Sequence, residues 1–210
     1  MTQTAQFWDK LAVKYAAQPI KDTDAYEYTL GRTRSYLTAN DHVLEIGGGT
    51  GSTALRLAKD VAQMTGTDIS AEMTRIATEK AAAEGVQNTV FRVMSAAEAA
   101  QLAEDYQVVT GFNILHLTEN MEKVLETLSQ KLAPGSLLIT KTPCLGEPSI
   151  GVKRFLFRAL IPVLRLVGKA PPVRFLSFQE LEAAITWAGF DIIESGSHPA
   201  LSRFIVARKA

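Results

Sequence analysis

The chain has 210 residues, of which 47% are hydrophobic, and 22 basic side chains balance 22 acidic ones. This length predicts one domain with a sizeable core, and the zero net charge gives no general electrostatic reason to expect nucleic-acid binding. One cysteine excludes an internal disulfide framework, and one Cys with three scattered His gives no metal-ligand spacing. We therefore expect no metal site. Because the first residues are unlike a signal peptide, we also expect a cytoplasmic protein.

Two helices are predicted ahead of the first strand. Hydrophobic residues at helical spacing indicate one helix over residues 4–17 and another over about 22–37. Neither belongs to a strand–helix repeat. Residues 1–39 should therefore form a helical cap that packs on the sheet or covers the carboxyl ends of its strands.

A strand, a glycine turn and a helix follow the cap. Val43–Ile46 is apolar except for Glu45, and glycines then fall at alternate positions: Gly47, Gly49 and Gly51. Missing Cβ atoms permit a tight turn and let a ligand lie against the peptide plane, where the amides that open the helix point. The pattern predicts the first half of a nucleotide-binding βαβ unit, although a plain strand–helix turn would also use glycine.

A second predicted strand, residues 62–68, ends in a carboxylate. Asp68 lies about 20 residues beyond Gly47, the spacing at which an acidic side chain accepts hydrogen bonds from ribose hydroxyls. An ordinary loop aspartate is the alternative. Ser70 is the predicted N-cap of the next helix, and Gly85 ends that helix.

The rest of the chain predicts three more strands with helices between them, and then a hairpin. The strands cover residues 89–94, 106–112 and 137–141, and the hairpin covers 190–194 and 203–207. The predicted fold is α/β: a Rossmann-like, seven-stranded, mainly parallel sheet with helices on both faces and a terminal antiparallel hairpin.

Four motifs lie at the ends of these strands. They are Glu-x-Gly-x-Gly-x-Gly, Thr-Asp-Ile-Ser-x-Glu-Met, Gly111–His116 and Leu132–Ser136. Together they resemble the class I S-adenosylmethionine-dependent methyltransferases over residues 40–142. The resemblance is specific for cofactor and fold and silent on the methyl acceptor. Ser52, at the place of the third glycine of a dinucleotide fingerprint, disfavours a nicotinamide enzyme.

The resemblance implies S-adenosylmethionine as the cofactor. It also implies these cofactor contacts: Tyr15, Glu45, Gly47, Gly49, Gly51, Asp68, Ile69, Ser95, Ala96 and Asn113. Glu45 would accept from the methionyl ammonium, directly or through water, with amides of the glycine turn as alternative or additional donors. The family usually has an acid where Ser95 stands, so the adenine anchor departs from the pattern. Ser95 is also the predicted N-cap of the next helix.

Aromatic side chains of the cap are candidates for contacts with the cofactor's sulfonium. They are Trp8, Tyr15, Tyr26 and Tyr28, and Tyr15 is the one that we favour. Trp8 and Tyr26 can equally be the buried stripe of their helices.

His116 is the only histidine that the predicted fold places near the carboxyl edge of the sheet. Its ordinary pKa suits a general base for a protonated acceptor. A lone histidine after an apolar strand is often structural, so both roles stay open.

Residues 148–176 form a predicted insert between the fifth strand and the helix at Ser177. Residues 150–161 are helix-like, Pro162 should kink or split the helix, and one side of it is basic: Arg154, Arg158, Arg165 and Lys169. One interpretation is a cap packed on the sheet with solvated arginines. The other is a mobile lid, in which residues 150–169 touch an anionic membrane or admit an apolar acceptor.

The leading hypothesis is S-adenosylmethionine-dependent methyl transfer to a small, apolar or aromatic acceptor. A cofactor-binding sensor, or a non-catalytic partner module, is the alternative. A nucleic-acid methyltransferase is disfavoured, since the chain lacks both a basic balance and the proline–aromatic tetrapeptide of base-flipping enzymes.

Overall fold

The computed structural model describes residues 2–166 and 168–210. Met1 of the predicted cap and Val167 of the predicted insert lie outside the described residues. The helices are α1 (Gln3–Ala16), α2 (Thr23–Arg34), α3 (Ser52–Leu57), α4 (Ala71–Ala83), α5 (Ala96–Ala100), α6 (Met121–Lys131), α7 (Lys153–Leu166) and α8 (Phe178–Trp187). The strands are β1 (His42–Ile46), β2 (Gln63–Asp68), β3 (Thr89–Val93), β4 (Val108–Phe112), β5 (Leu137–Pro143), β6 (Phe190–Ser197) and β7 (Ser202–Lys209).

The seven strands form one sheet in the order β3-β2-β1-β4-β5-β7-β6. The first five are parallel, with β1 paired to both β2 and β4, while β7 runs antiparallel to β5 and β6. The predicted fold is thereby confirmed. Strand order reverses between β1 and β4, and ligands of open α/β sheets bind outside the carboxyl ends of the strands at such a point.

Both faces of the sheet are covered. Leu44 and Val109 point into a core built with α5, α6 and α8, whereas their neighbours Val43 and Val108 point into a second core with α2 and α3. Side chains alternate between faces along a strand, so β1 and β4 supply both cores. This two-sided burial explains their nearly continuous apolar sequence.

Helix α1 is fastened beside the carboxyl end of β2 by Asp9. Asp9 Oδ1 accepts from Ser70 Oγ at 2.6 Å and from the Glu72 amide at 3.1 Å, so it caps α4 from outside. Ser70 itself is the N-cap, as predicted, and accepts from the Met73 amide at 3.0 Å. The contact brings the first helix to the edge of the sheet where the glycine turn lies.

The segment between β5 and α8 contains α7, which runs without a break through Pro162. Of the two outcomes predicted at Pro162, the split was wrong, and the kink stays a prediction. Proline removes one intrahelical hydrogen bond, and here the exposed ring is tolerated within the helix. Among the helices that the structure describes, none has the length and apolar content needed to cross a bilayer.

Candidate functional site

A cavity of about 840 Å³ opens at the carboxyl edge of the sheet. The glycine turn after β1 and the ends of β2 and β4 line one side of it. The start of α1 and the segment after α7 line the other. Its volume is in the range of small-molecule and cofactor sites, and it lies where the strand order reverses.

The three glycines of the turn have different structural roles. All have positive φ, at 68°, 55° and 75° for Gly47, Gly49 and Gly51. A Cβ on Gly47 would meet Ile114 at 2.5 Å, and one on Gly51 would meet Phe91 at 2.7 Å. A Cβ on Gly49 would meet only Tyr15, at 4.0 Å. Gly47 and Gly51 are therefore required by packing, while Gly49 leaves space on the cavity side of the turn.

Asp68 connects the glycine turn to α4. Its Oδ2 accepts from the Gly49 amide and its Oδ1 accepts from the Ser70 amide, both at 2.9 Å. Burial raises the pKa of Asp68, and these backbone amides partly offset the rise. The Ile69 amide contributes in the same way, and the carboxylate keeps lone-pair capacity beyond these bonds.

Glu45 lies beneath the turn rather than on the cavity wall. Its side chain is buried, and its Oε2 has no hydrogen-bond partner among the described residues. Burial raises the pKa of Glu45 to about 8, although the Ala54 amide lowers it in part. A buried carboxyl oxygen without a donor is costly. The site therefore has an unmet acceptor at the place where the sequence predicts a contact with an ammonium group.

Ser95 lines the cavity, but its hydroxyl is already used. It donates to Glu98 Oε2 at 2.7 Å and accepts from the Glu98 amide at 3.3 Å, which completes a capping box at the start of α5. The N-cap role that the sequence predicted for Ser95 is confirmed. The neighbouring Ala96 also lines the cavity.

Asn113 and His116 follow β4 at the cavity. Asn113 has a φ of 59° and is the one described non-glycine residue with a positive φ. Its amide donates to the Lys141 carbonyl at 2.7 Å. His116 is buried, and its Nδ1 lacks a hydrogen-bond partner in the described structure. Burial lowers the pKa of His116 to about 4, so the imidazole is neutral at pH 7.

Two of the four aromatic candidates reach the cavity. Trp8 and Tyr15 of α1 line it. Burial, and then the nearby carboxyl groups of Asp68 and Glu45, raise the pKa of Tyr15. Tyr26 instead packs against the core of α2 and α3, and Tyr28 stacks on His198 at 4.2 Å between ring centroids.

The segment that contains α7 supplies part of the opposite wall. Arg165, Pro171 and Val173 line the cavity, and Arg165 lies 3.8 Å from Glu119, which also lines it. Arg174 fixes the end of this segment, because its amide donates to the His116 carbonyl at 2.7 Å and its guanidinium pairs with Glu122.

The structure brings eight of the ten predicted cofactor contacts to one cavity, and His116 with them. Glu45 and Gly51 are the exceptions, since both lie just behind the wall. The sequence prediction missed an apolar group on the wall: Met73, Met94, Phe112, Ile114, Leu117 and Val124. Several follow the predicted strands, so their position at strand ends was the available signal. In the part of the chain that the structure covers, no three His, Cys, Asp or Glu residues lie together as a metal site.

Fold and site together define a doubly wound α/β domain with a nucleotide-type cofactor site at its switch point. Comparison with known proteins narrows this class. Residues 43–135 match the family model of the methyltransferase domain. Residues 43–135 are therefore similar to a methyltransferase domain, in agreement with the class I S-adenosylmethionine-dependent assignment that the motifs suggest.

Relatives and solved structures agree with this assignment. The chain is 33% identical over 98 residues to the tRNA 5-carboxymethoxyuridine methyltransferase of Escherichia coli K12, covering 46% of this chain and 38% of that enzyme. It is 31% identical over 126 residues to a highly reducing polyketide synthase of Purpureocillium lilacinum, covering 55% of this chain and 5% of that protein. The chain thus spans well under half the length of these curated relatives.

A solved structure shares the fold over nearly the whole chain. It is an S-adenosylmethionine-dependent methyltransferase from Thermotoga maritima, with a TM-score of 0.72 and 18% identity, covering 99% of this chain and 100% of that chain.

Proposed function

We propose that the protein is an enzyme that transfers a methyl group from S-adenosylmethionine to a small acceptor that is apolar or aromatic. One observation carries the proposal: a single cavity joins the glycine turn and Asp68 to an apolar wall. A cofactor held by the turn would thus share one cavity with its acceptor.

The residues fit the cofactor. Gly49 leaves room against the backbone of the turn, Asp68 has free lone pairs for ribose hydroxyls, and Glu45 offers an unmatched acceptor for an ammonium group. Ser95, with its hydroxyl engaged by Glu98, leaves the adenine contact to the Ala96 amide.

When bound, S-adenosylmethionine supplies a methyl group on a positively charged sulfur. The chain's own task is to align the acceptor with that methyl and to exclude water. Trp8 and Tyr15 enclose the cavity from the α1 side, and their ring faces favour a cation. His116 lines the cavity and is neutral, and we assign to it the role of accepting a proton from an acceptor that arrives protonated.

The lining of the acceptor side supports an apolar or aromatic substrate. Phe112, Ile114 and Leu117 lie beside Pro171 and Val173, and Arg165 is the basic residue among them. An apolar acceptor would pack against these side chains, and the polar residues of the same cavity, Thr118, Glu119 and Asn120, would meet its polar group.

The name of one relative points to another acceptor class, tRNA. The balanced charge of this chain argues against it. A small-molecule acceptor therefore remains our proposal, with nucleic acid as an outcome to be tested. We also propose that the protein acts in the cytoplasm and touches the membrane surface through residues 150–169.

A transfer assay with radiolabelled methyl tests the proposal. Cell extract is divided into lipids, small metabolites and RNA, and each fraction is offered with the labelled cofactor. We expect label in an apolar or aromatic compound. Label in RNA, or in a small polar acceptor as the best substrate, would contradict the acceptor class.

Calorimetry on the same protein separates the enzyme from a sensor. We expect S-adenosylmethionine to bind and NAD not to bind. Cofactor binding without transfer to any fraction would favour the sensor, and failure to bind the cofactor would contradict the whole proposal.

A further inference from the structure

The outward side of α7 is apolar. Its outer face consists of Phe155, Leu156, Leu160, Val163 and Leu166, continued by Val152 just before the helix, and every one of these side chains is exposed. The inward side is apolar too, with Phe157, Ile161 and Leu164 partly buried. A surface helix normally turns polar residues to water. A contiguous apolar patch of this kind marks a contact site.

The outer face has a basic border. Arg154, Arg158 and Arg165 share one side of α7, and Lys169 follows the helix. Their segment holds no acid between Glu147 and Glu180. Within the described structure, Arg154 and Arg158 form no ion pair; they lie over Phe155 and Phe175, at 4.8 and 5.7 Å from the ring centroids. Their charge is thus available to an anionic partner.

The same segment forms part of the cavity wall. Arg165 near the end of α7, and Pro171 and Val173 beyond it, line the cavity. Whatever covers the outer face therefore lies next to the acceptor side of the site.

We propose that α7 lies in the plane of an anionic lipid membrane. The outer face sinks to the boundary of the acyl chains, and the basic border meets the lipid phosphates. Exposed hydrocarbon beside basic residues is the composition of helices that bind such surfaces. With 14 residues, α7 is about 21 Å long, which suits lying on a bilayer rather than spanning it.

This proposal deepens the proposed function and rests on it. It names the source of the acceptor, a compound dissolved in the bilayer that enters the cavity beside Pro171 and Val173. A second copy of the chain is a poorer occupant, because a symmetric contact would bring two basic, acid-free borders into one interface.

Vesicle flotation tests the membrane contact. The full chain is mixed with phosphatidylcholine vesicles, with and without phosphatidylglycerol. We expect flotation with the anionic vesicles only, weakened by salt. The double variant Arg154→Glu with Arg158→Glu should lose binding by about tenfold or more, since each basic residue contributes to attraction at the surface.

Control variants test whether binding depends on the outer face and basic border of α7 or on the charge and hydrophobicity of the protein surface in general. Lys10→Glu with Lys14→Glu changes two exposed lysines of α1 at the same spacing, and it should float like the wild type. Phe155→Ser with Val163→Ser should lose binding, whereas Trp187→Ser, at a side chain that is 92% exposed on α8, should keep it. Circular dichroism checks that every variant is folded.

Three results would overturn the proposal. The first is no flotation of the wild type, and the second is equal flotation of the Arg154 and Arg158 variant. The third is a dimer, seen by analytical ultracentrifugation, that Phe155→Ser with Val163→Ser dissociates. Calorimetry with S-adenosylmethionine on the same samples reports the proposed function separately. Cofactor binding without flotation contradicts only the membrane contact, and flotation without cofactor binding contradicts the enzyme.

Discussion

The two sides of the cavity are built in opposite ways. The side formed by the glycine turn and Asp68 consists of backbone amides, glycines in left-handed conformation and a buried carboxyl group behind them. The side formed by α7 and the following loop consists of side chains on the segment that joins β5 to α8. The first leaves little freedom of sequence, because packing and φ angles fix it. The second side permits many different sequences, because it needs only side chains of suitable shape and polarity.

This difference explains why the motifs identify the cofactor and not the acceptor. A nucleotide-type cofactor needs the same hydrogen bonds from the same turn, so its site has a recognisable spacing. An apolar acceptor needs only a shaped hydrophobic wall, and many sequences provide one.

The largest expected effect separates two glycines of the turn. Gly51→Val should destabilise the fold by about 2–5 kcal/mol, since a left-handed residue with a Cβ is strained and this Cβ would overlap Phe91 and Ala77. Gly49→Val should cost only the strain, about 1–2 kcal/mol, because its Cβ enters open space.

Thermal unfolding and cofactor calorimetry measure both variants. We expect Gly49→Val to stay folded and to lose S-adenosylmethionine binding, since its side chain occupies space against which the cofactor would lie. Wild-type affinity in Gly49→Val would remove this residue from the site.

The next effect concerns His116, at the border between the two sides. Its folded pKa, about 4, lies below the ordinary value of 6.5, so the unfolded chain binds the proton more tightly. The neutral His116 therefore contributes about 3 kcal/mol to the free energy of unfolding above pH 6.5, and this contribution is lost as the pH falls toward 4. His116→Gln should flatten that loss in urea titrations at successive pH values. An unchanged pH slope would contradict the burial effect.

His116→Ala also tests the catalytic role. If His116 accepts the proton, methyl transfer should fall by about a hundredfold or more while cofactor affinity stays within a few fold. Equal activity to the wild type from pH 5 to pH 9 would eliminate it as the base.

A smaller effect sharpens the role of the carboxylate on the cofactor side. Asp68→Ala should weaken S-adenosylmethionine binding at least tenfold, because hydrogen bonds to a charged acceptor contribute about 1.5–3 kcal/mol each. Asp68→Asn keeps one oxygen for a backbone amide and controls for the loss of the contacts to Gly49 and Ser70. Unchanged affinity in folded Asp68→Ala would remove the ribose assignment.

The smallest effect is expected on the opposite side. Leu166, at the end of α7, is 87% exposed, so Leu166→Ser should change stability by no more than about 0.5 kcal/mol. Cofactor affinity should be equal to that of the wild type in calorimetry. A large loss of stability would mean that α7 packs more firmly than its exposure indicates, and the contrast between the two sides would disappear.

Most of the fold could be predicted from the sequence because its strands are apolar runs between clear breaks. Ser70, Ser177 and Gly85 marked helix boundaries, and the seven-stranded, mainly parallel sheet followed from the motif match. The helix break that was one of the two outcomes predicted at Pro162 does not occur, and local propensity could not show that α7 continues through this residue.

The site was predicted less completely. Spacing identified Gly49 and Asp68, but Asp9 joins α4 through a contact between residues more than sixty positions apart. Nothing in local sequence marks such a contact. Tyr15 and Tyr26 both lie on helices of the cap, and tertiary packing places the first at the cavity and the second against the core of α2 and α3.

The buried Glu45 has a consequence for how the cofactor site exchanges protons. With a pKa of about 8, Glu45 is mainly protonated at pH 7, whereas an ammonium group placed at Oε2 stabilises the carboxylate. Cofactor binding should therefore expel a proton. The affinity for the cofactor should therefore increase as the pH is raised toward 8, by up to about tenfold per pH unit. The measured heat of binding should vary with the ionisation enthalpy of the buffer that takes up the proton. In Glu45→Gln the dependence on the buffer should vanish, because glutamine has no proton to release. In the wild type, occupancy of the cofactor site would depend on pH through Glu45.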